Sequence, residues 1–457
     1  MLTTPKMLQI ALIAIGLSLS LVAQETAERI APPPAGITAQ DNDPPVDEAR
    51  PDTRPVTGLL PLTVGNFGTE RSFLAPSFGL SQAVDTNPLV VSGQSETIPV
   101  TGLSGNVVLE QVWRGSQFLL NYTAGGSIYG GNSELNRTFQ AMKIQQAFQF
   151  RHWSLTLADD VTVTPESTFG YSALSSFSGS TFTPGTAPNQ SVLINQSRQI
   201  SNVAVGQVNY ELNSRSSFTL AGNFGILRFP DGNFLESNQG GIQIGYNHNL
   251  NSRDSLGISY GLNLVRSPNA ATAQKLDSHI VQLAYGRRIT GHLAFGVSGG
   301  PEINEFEDPI LGHMTKTAWT AQSSMTYRLR GAQMQVSYSH GATAGAGVIG
   351  VATTDQIQGG LTTRLTRTLS ASIRPGYAHN TSAQPATNTP NPSFNTEFVG
   401  ATLGRPLGHQ GTLSLNYTFQ HQSTNVLACS LGLCGADLSR HVLGVAFDWH
   451  MRPLLIH

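Results

Sequence analysis

Apolar and polar residues alternate along much of this chain. In the stretch GTLSLNYTFQHQ, residues 411–422, the apolar residues Leu413, Leu415 and Tyr417 take odd positions and polar residues take the even ones. Successive side chains of a β-strand point to opposite faces, so this stretch predicts a strand with one apolar face and one polar face. The alternation lasts for about ten residues, whereas a typical strand has five or six.

The same alternation recurs from about Phe73 to His450, for example in SFTLAGNFGIL, SLGISYGLNLV and AQMQVSYSH. It predicts about eighteen strands, with connections that alternate between short turns and long stretches rich in Gly, Ser, Asn and Pro. Short turns are expected at eight places, near Gly115, His152, Asn213, Asn249, Arg288, Arg328, Leu365 and Gly404. The longest connection spans residues 164–199. This combination is typical of an all-β fold, a transmembrane antiparallel up-and-down β-barrel with short periplasmic turns and long extracellular loops.

A β-propeller is the alternative, because most successive short turns lie about 40 residues apart, as propeller repeats do. A blade packs four short strands into that length, whereas this sequence predicts two long ones. A tilted membrane strand needs about 9–11 residues, so strand length favours the barrel. The apolar faces would contact lipid and the polar faces would line a lumen. The sheet must then close, because each unpaired backbone group in hydrocarbon costs several kcal/mol.

Residues 1–23 carry the features of a secretory signal peptide. One basic residue, Lys6, precedes an apolar run from Met7 to Ala23. The alternative is an N-terminal membrane anchor, but the run is slightly shorter than the roughly 20 residues of a spanning helix. Residues 24–72 are rich in proline and mixed charge and predict an extended periplasmic linker, too short for a folded plug domain. The barrel is expected to occupy residues 73–457.

Composition agrees with a chain that lies between lipid and water. Charged residues are 12% of the chain, about half the share in a soluble domain. The net charge of -2 gives no reason to expect a nucleic-acid partner.

The only cysteines, Cys429 and Cys434, predict a disulfide in an exported protein, and no ligands at metal-site spacing accompany them. We therefore expect no metal and no cofactor.

The last predicted strand, HVLGVAFDW, resembles the terminal recognition signal of outer-membrane barrels, with Gly444, Phe447 and Trp449 at the matching positions. The tail HMRPLLIH continues past that signal, where many such barrels stop. Phrases such as SQAVDTNP, LAYGRRITGHLAFGVSGGPE and GVAFDWHMRP make the chain similar to a family of functionally uncharacterised porin-like bacterial outer-membrane β-barrel proteins. The resemblance implies an outer-membrane location, with lipid and the barrel-assembly machinery as partners. It implies no substrate, and it leaves the oligomeric state open.

A passive channel for small hydrophilic solutes is the function that this architecture favours. An eighteen-strand barrel is wide enough for an aqueous pore, and opposite charges across a constriction favour small polar solutes. Each charged residue on the lumen face could instead be a solvated wall residue or half of a structural ion pair. Arg374 is the strongest candidate, because Pro375 beside it predicts a bulge that re-aims side chains. The pore-lining candidates are Arg374, Glu110, Lys143, Asp160, Glu302 and Asp448.

Two other classes of function compete with the channel. An enzyme in the barrel wall would need a nucleophile and a base, but the adjacent Ser339 and His340 point to opposite faces, and a partner such as His379 would have to come from another strand. We expect no enzyme. An energised receptor needs a plug domain, which the linker cannot supply. A surface scaffold or a secretion-associated barrel stays open as the alternative.

The long connection of residues 164–199 carries a further hypothesis. Its length would let it cross part of the barrel mouth, with Phe177 and Phe182 packed on the wall. The alternative, which the sequence does not exclude, is a loop that stays mobile outside the barrel.

Overall fold

The computed structural model describes residues 72–90, 96–165, 191–194, 197–230, 234–268, 274–308, 312–329, 331–383, 391–425 and 437–456. The signal peptide, the linker up to residue 71, Phe177, Phe182 and both cysteines lie outside these residues, so the predictions about them stay predictions. The strands are β1 (Ser72–Asp85), β2 (Ile98–Trp113), β3 (Ser116–Tyr129), β4 (Arg137–Gln149), β5 (Trp153–Thr164), β6 (Gln199–Asn213), β7 (Ser216–Arg228), β8 (Ser237–Asn249), β9 (Asp254–Ser267), β10 (Gln274–Arg288), β11 (Leu293–Asp308), β12 (Gly312–Leu329), β13 (Ala332–Ala344), β14 (Val351–Thr366), β15 (Leu369–Ser382), β16 (Ser393–Leu407), β17 (Gly411–Thr424), β18 (Leu438–His450) and β19 (Leu454–Ile456).

The eighteen long strands form a closed antiparallel barrel. Each of β2 to β17 pairs with its two neighbours in the chain, and β1 pairs with β18 from Ser77 opposite His450 to Asp85 opposite Val442. Closure gives each of the eighteen long strands a pairing partner on both sides, as the hydrocarbon region of a membrane requires. The predicted fold and strand number are therefore confirmed.

The C-terminal tail continues the seam between β1 and β18. The short strand β19 pairs with the first residues of β1, with Ile456 opposite Ser72 and Leu454 opposite Leu74. The tail that extends past the aromatic signal thus pairs with the start of the first strand.

Two kinds of connection lie at opposite ends of the barrel. All eight predicted short turns are present, each two to four residues long, and we call this the short-turn end. The other end, the long-loop end, departs from the prediction at one place. Because β11 ends at Asp308 and β12 begins at Gly312, only three residues join them. These two strands are 16 and 18 residues long, so the extra length there is paired strand rather than loop.

The outer face of the barrel carries the exposed apolar side chains. Ile242 is 60% exposed and Leu283 is 62% exposed, whereas lumen-facing neighbours such as Gln239 and Gln282 are buried. Exposed aromatic residues lie on the outer face near the short-turn end: Trp113, Trp153, Phe447 and Trp449. A belt of apolar side chains with aromatics towards its edge is the surface that a membrane barrel presents to lipid. Apart from the strands, the described part of the chain holds one short 3-10 turn, Ser133–Leu135.

No helix among the described residues is long and apolar enough to cross a membrane.

The bulge expected at Pro375 is absent. Gln358 lies opposite Gly376 and Leu361 lies opposite Ile373, so the register between β14 and β15 continues unchanged past Pro375. Gly359 provides the space, since a Cβ there would lie 3.3 Å from Cγ of Pro375. The proline ring fits because Gly359 on the neighbouring strand has no side chain, and the strand needs no extra residue there.

Candidate functional site

The lumen is the candidate functional site, and its short-turn half is polar and partly open. Glu110, Asn121, Gln335 and Arg374 face inward from β2, β3, β13 and β15, and all are partly exposed. The Glu110 carboxylate accepts a 2.6 Å hydrogen bond from Nε2 of Gln117 on the neighbouring strand. This half of the lumen therefore offers hydrogen-bonding groups of both kinds to a polar solute.

A segment of the longest connection lies inside the long-loop half. We call residues 191–194 the strap. Its backbone is held by Gln422 of β17, whose Oε1 accepts the Leu193 N–H at 2.6 Å and whose Nε2 donates to the Leu193 carbonyl at 2.8 Å. The Ser191 hydroxyl and the Asn380 side-chain amide of β15 also hydrogen bond, at 2.9 Å.

These contacts place the strap on the far wall of the barrel. The connection that contains it joins β5 to β6, and β15 lies nine strands on from β6 in a barrel of eighteen. Residues 191–194 therefore lie against the lumen face of strands on the side of the barrel opposite β6. Residues 191–194 thus lie inside the barrel, as the inward-folding hypothesis expects, whereas residues 166–190, with the predicted anchors Phe177 and Phe182, lie outside the described residues and the hypothesis stays a prediction for them.

The strap side chains point alternately into two apolar clusters. Leu193 packs with Val90 and Leu438, close to the seam between β1 and β18. The side chains on either side of it, Val192 and Ile194, belong to a larger cluster formed by residues of several connections and strand ends: Leu227, Phe229, Phe234, Ala346, Ile349, Ala352 and Phe394. The mouth at the long-loop end is thus filled by apolar side chains from several loops.

The tip of β13 and β14 also folds into the lumen, and we call residues 341–351 the inner hairpin. Pairing between β12 and β13 ends at Ala321 opposite His340, so the hairpin leaves the wall above that point. Oε1 of Gln239 on β8 accepts the Ala344 N–H at 3.3 Å. From the β7–β8 loop, the N–H of Leu235 donates to the Gly347 carbonyl at 2.7 Å.

The wall beneath the inner hairpin is apolar on its lumen side. Val265, Leu276 and Phe306 of β9, β10 and β11 face inward and pack with Ala342 and Ala344, together with the hairpin residue Val351. Small alanine side chains let the hairpin approach the wall closely. The hairpin and the strap together narrow the lumen at the long-loop end.

The predicted pore-lining residues do not form a single ring. Lys143 and Asp160 lie directly opposite each other on β4 and β5, as neighbouring residues of opposite charge. Glu302, on β11, is only 1% exposed, because the inner hairpin covers it and the Ala342 N–H donates to its carboxylate. Arg374 lies on the lumen face of β15, and Asp448 lies between Gly79 and Thr412 near the short-turn end.

The terminal-signal residues divide between the two faces of β18. Phe447 and Trp449 point outward and are exposed. Gly444 faces inward opposite Ala83, and a Cβ at Gly444 would lie 2.7 Å from Cβ of Ala83, so the seam strands approach closely there. Their role in barrel assembly stays a prediction.

An ion pair that the sequence analysis did not identify joins the two seam strands. Arg440 of β18 donates from Nη2 to Asp85 of β1 at 2.6 Å and from Nε at 3.0 Å, and both side chains are buried. The bidentate geometry fixes the orientation of both groups. No local pattern marks this pair, because its members are 355 positions apart.

The residues considered for an enzyme lie as expected from strand geometry. Ser339 is a buried lumen-facing residue, whereas His340 points outward, stacks on Trp319 at 3.8 Å and contacts Asp355 through Nδ1 at 2.8 Å. Ser339 and His340 are thus on opposite faces. No group of three His, Cys, Asp or Glu side chains that could hold a metal ion occurs within the described ranges.

The strap did carry a sequence signal. Val192, Leu193 and Ile194 form an apolar triplet inside a stretch of Ser, Asn and Gln, in QSVLINQS. Such a triplet in a polar loop indicates a segment that docks on an apolar surface. The signal does not identify that surface, which comes from strands on the other side of the barrel.

No sequence-family model and no curated protein sequence matches the chain. Among solved structures, the chain is similar to OccK2 (OpdF) of Pseudomonas aeruginosa, with 10% identity and a TM-score of 0.41 over 83% of this chain and 98% of that one. It is also similar to the outer membrane protein OpdK of Pseudomonas aeruginosa, with 10% identity and a TM-score of 0.41 over 84% and 99%. OccAB1 of Acinetobacter baumannii gives 10% identity and a TM-score of 0.42 over 84% and 97%. At these values the similarity carries no information on a solute, and the barrel architecture stands on its own strand pairing.

Proposed function

We propose that this outer-membrane barrel is a channel for the passive diffusion of small hydrophilic solutes, narrowed at its long-loop end by the strap and the inner hairpin. The observation that carries the proposal is the polar, partly open short-turn half of the lumen, which meets the strap and the inner hairpin at the long-loop end. Such a lumen admits water and polar solutes at one end and limits their size at the other.

Solute selection would come from the lumen charges. Arg374 and Glu110 lie on β15 and β2, five strands apart around the barrel, and both are partly exposed. Charges of opposite sign on separate walls create a field across the lumen that orients polar solutes. The proposal therefore expects selectivity by polarity and size, with the partners being small polar solutes and outer-membrane lipid.

The orientation follows from the strand number. An even number of strands places both ends of the barrel segment on one side, and in outer-membrane barrels the short turns normally lie in the periplasm. A tag inserted between residues 166 and 190 should then be accessible to protease on intact cells, whereas a tag after residue 457 should be protected. The reverse pattern would contradict this orientation.

Single-channel conductance of the full-length protein in a planar bilayer tests the function. Replacing residues 166–198 by a short Gly-Ser linker removes the strap and should raise conductance, because residues 191–194 no longer occupy part of the lumen. Shortening the β15–β16 connection at residues 384–390 is the matched control and should change conductance less.

A surface scaffold is the competing function, and the apolar packing at the mouth favours it. If strap and inner hairpin close the lumen permanently, the full-length protein conducts no ions. A barrel that shows no conductance even after the strap is removed would overturn the proposed channel function and support a scaffold function.

A further inference from the structure

We propose that the lumen wall formed by β15 to β18 is a binding site for extended peptides with apolar side chains, and that the strap occupies this site as an intramolecular stand-in for the ligand. Binding of a peptide to this wall can be measured without ion flow. Only its consequence for transport, that such peptides open the mouth by displacing the strap, rests on the proposed channel function.

The wall recognises the peptide backbone through one side chain. Gln422 is 0% exposed and bonds to both the N–H and the carbonyl of Leu193. The Thr396 hydroxyl donates to the same Oε1 at 3.1 Å, which fixes the direction of the amide. Because this amide is buried, it favours an occupant that presents both an N–H and a carbonyl at one residue. A peptide presents both at each residue.

A second polar contact holds the N-terminal side of the occupant. Asn380 is buried, and its Oδ1 accepts the Thr354 hydroxyl at 2.8 Å, so its Nδ2 is directed at the Ser191 hydroxyl, 2.9 Å away. The site therefore prefers a small hydroxyl residue two positions before the residue that Gln422 binds.

The side-chain pockets define the rest of the ligand. In an extended chain successive side chains point in opposite directions, as Leu193 and its two neighbours do here. Leu193 enters the pocket of Val90 and Leu438, while Val192 and Ile194 enter the larger apolar cluster. Backbone hydrogen bonds combined with pockets for alternate side chains are the general way in which proteins bind extended peptides.

The strap competes with a free peptide because it belongs to the same chain. An intramolecular segment is present at a high effective concentration, so the wall is mostly occupied and a free peptide binds weakly. Weakening the strap must then strengthen peptide binding. A strap that only stabilises the fold would not produce this effect.

The test measures binding of a fluorescein-labelled Ser-Val-Leu-Ile amide to the full-length protein in detergent by fluorescence anisotropy. In the Leu193→Pro variant the strap loses the N–H that Gln422 accepts. We expect the dissociation constant of the peptide to fall about tenfold relative to wild type, as removal of one buried hydrogen bond from the competitor implies. Adding Gln422→Leu to the Leu193→Pro protein, in which the strap has already lost its N–H donor to this amide, should raise the dissociation constant again by about tenfold.

Two controls keep the test specific. Gln243→Leu changes a lumen-facing amide that bonds to Ser259 on the other side of the barrel and should leave peptide binding unchanged. A peptide with N-methyl-leucine keeps the apolar surface but lacks the donor to Gln422, and should bind the wild type and Leu193→Pro proteins about tenfold more weakly. This peptide arm does not depend on whether the Gln422→Leu variant folds.

Peptide that fails to bind the Leu193→Pro protein, or that binds regardless of N-methylation, would overturn the proposal. A protein that conducts ions but does not bind the peptide would leave the channel function standing and refute the peptide site alone. Peptide binding to a silent barrel would support the site and refute the channel.

Discussion

The short-turn half and the long-loop half of the lumen belong to the same eighteen strands, yet they are lined differently. In the short-turn half, inward residues such as Glu110 and Gln335 are polar and partly exposed. In the long-loop half, the inward residues include Val265, Leu276 and Phe306, and all three are buried. The difference teaches that buried apolar residues on the lumen face of a strand mark the places where loops return to the wall.

The two halves also differ in how they are held together. The wall in the short-turn half rests mainly on backbone pairing between neighbouring strands. The long-loop half adds contacts across the lumen, from Gln422 to the strap and from Gln239 to the inner hairpin. Stability in that half therefore depends on side chains far apart in sequence, and substitutions there should have larger effects.

The largest effect is expected at the buried seam pair. Arg440→Leu leaves the Asp85 carboxylate buried without its partner, and breaking such a pair costs about 3–5 kcal/mol. Urea unfolding of the barrel in detergent, followed by circular dichroism, should show a loss of that order in the free energy of unfolding.

The control is the exposed pair of Lys275 and Glu307 at the long-loop rim, with side chains 45% and 48% exposed. Lys275→Gln should cost no more than about 1 kcal/mol, because solvent screens an exposed pair. Equal losses in the two variants would contradict the special role of the seam pair.

A matched pair of leucines tests the comparison of the two halves directly. Leu276 is fully buried under the inner hairpin, whereas Leu119 faces the lumen from β3 in the short-turn half and is partly exposed. Leu276→Ala should lower the free energy of unfolding by about 2–5 kcal/mol, the usual cost of a buried cavity. Leu119→Ala should cost less than half as much, because less of its surface is removed from water on folding.

The same urea titrations measure both leucine variants. If Leu119→Ala destabilises the barrel as much as Leu276→Ala does, the short-turn half is packed as tightly as the mouth, and the comparison fails.

The smallest effect is expected from a lumen charge. Arg374→Glu should shift the ion selectivity of the channel toward cations, by roughly twofold in permeability ratio, since salt screens a partly exposed charge within about 8 Å. Reversal potentials under a salt gradient measure the shift. Arg405→Glu makes the same charge change on the outer face of β16 and should leave the reversal potential unchanged. A shift of equal size in both variants would show that Arg374 has no specific effect on ion selectivity.

Sequence reasoning was most successful where the physics is local. The alternation with period two predicted the strand faces, and all eight short turns lie where the sequence placed them. It also placed Ser339 and His340 on opposite faces. Two expectations were wrong because they depended on a neighbouring strand: Gly359 removes the need for a bulge at Pro375, and pairing of β11 with β12 replaces a long loop.

The sequence by itself determined the barrel, because a strand between lipid and water must alternate and a sheet in hydrocarbon must close. It also marked the strap, by an apolar triplet in a polar loop. Only the tertiary structure decided where the strap docks, how the inner hairpin covers Glu302 and which residue faces Arg440. These contacts join positions up to 355 residues apart, and closure of the barrel brings them together. A local sequence pattern cannot predict contacts between residues so far apart, so the side chains that line the mouth can be identified only from the closed barrel.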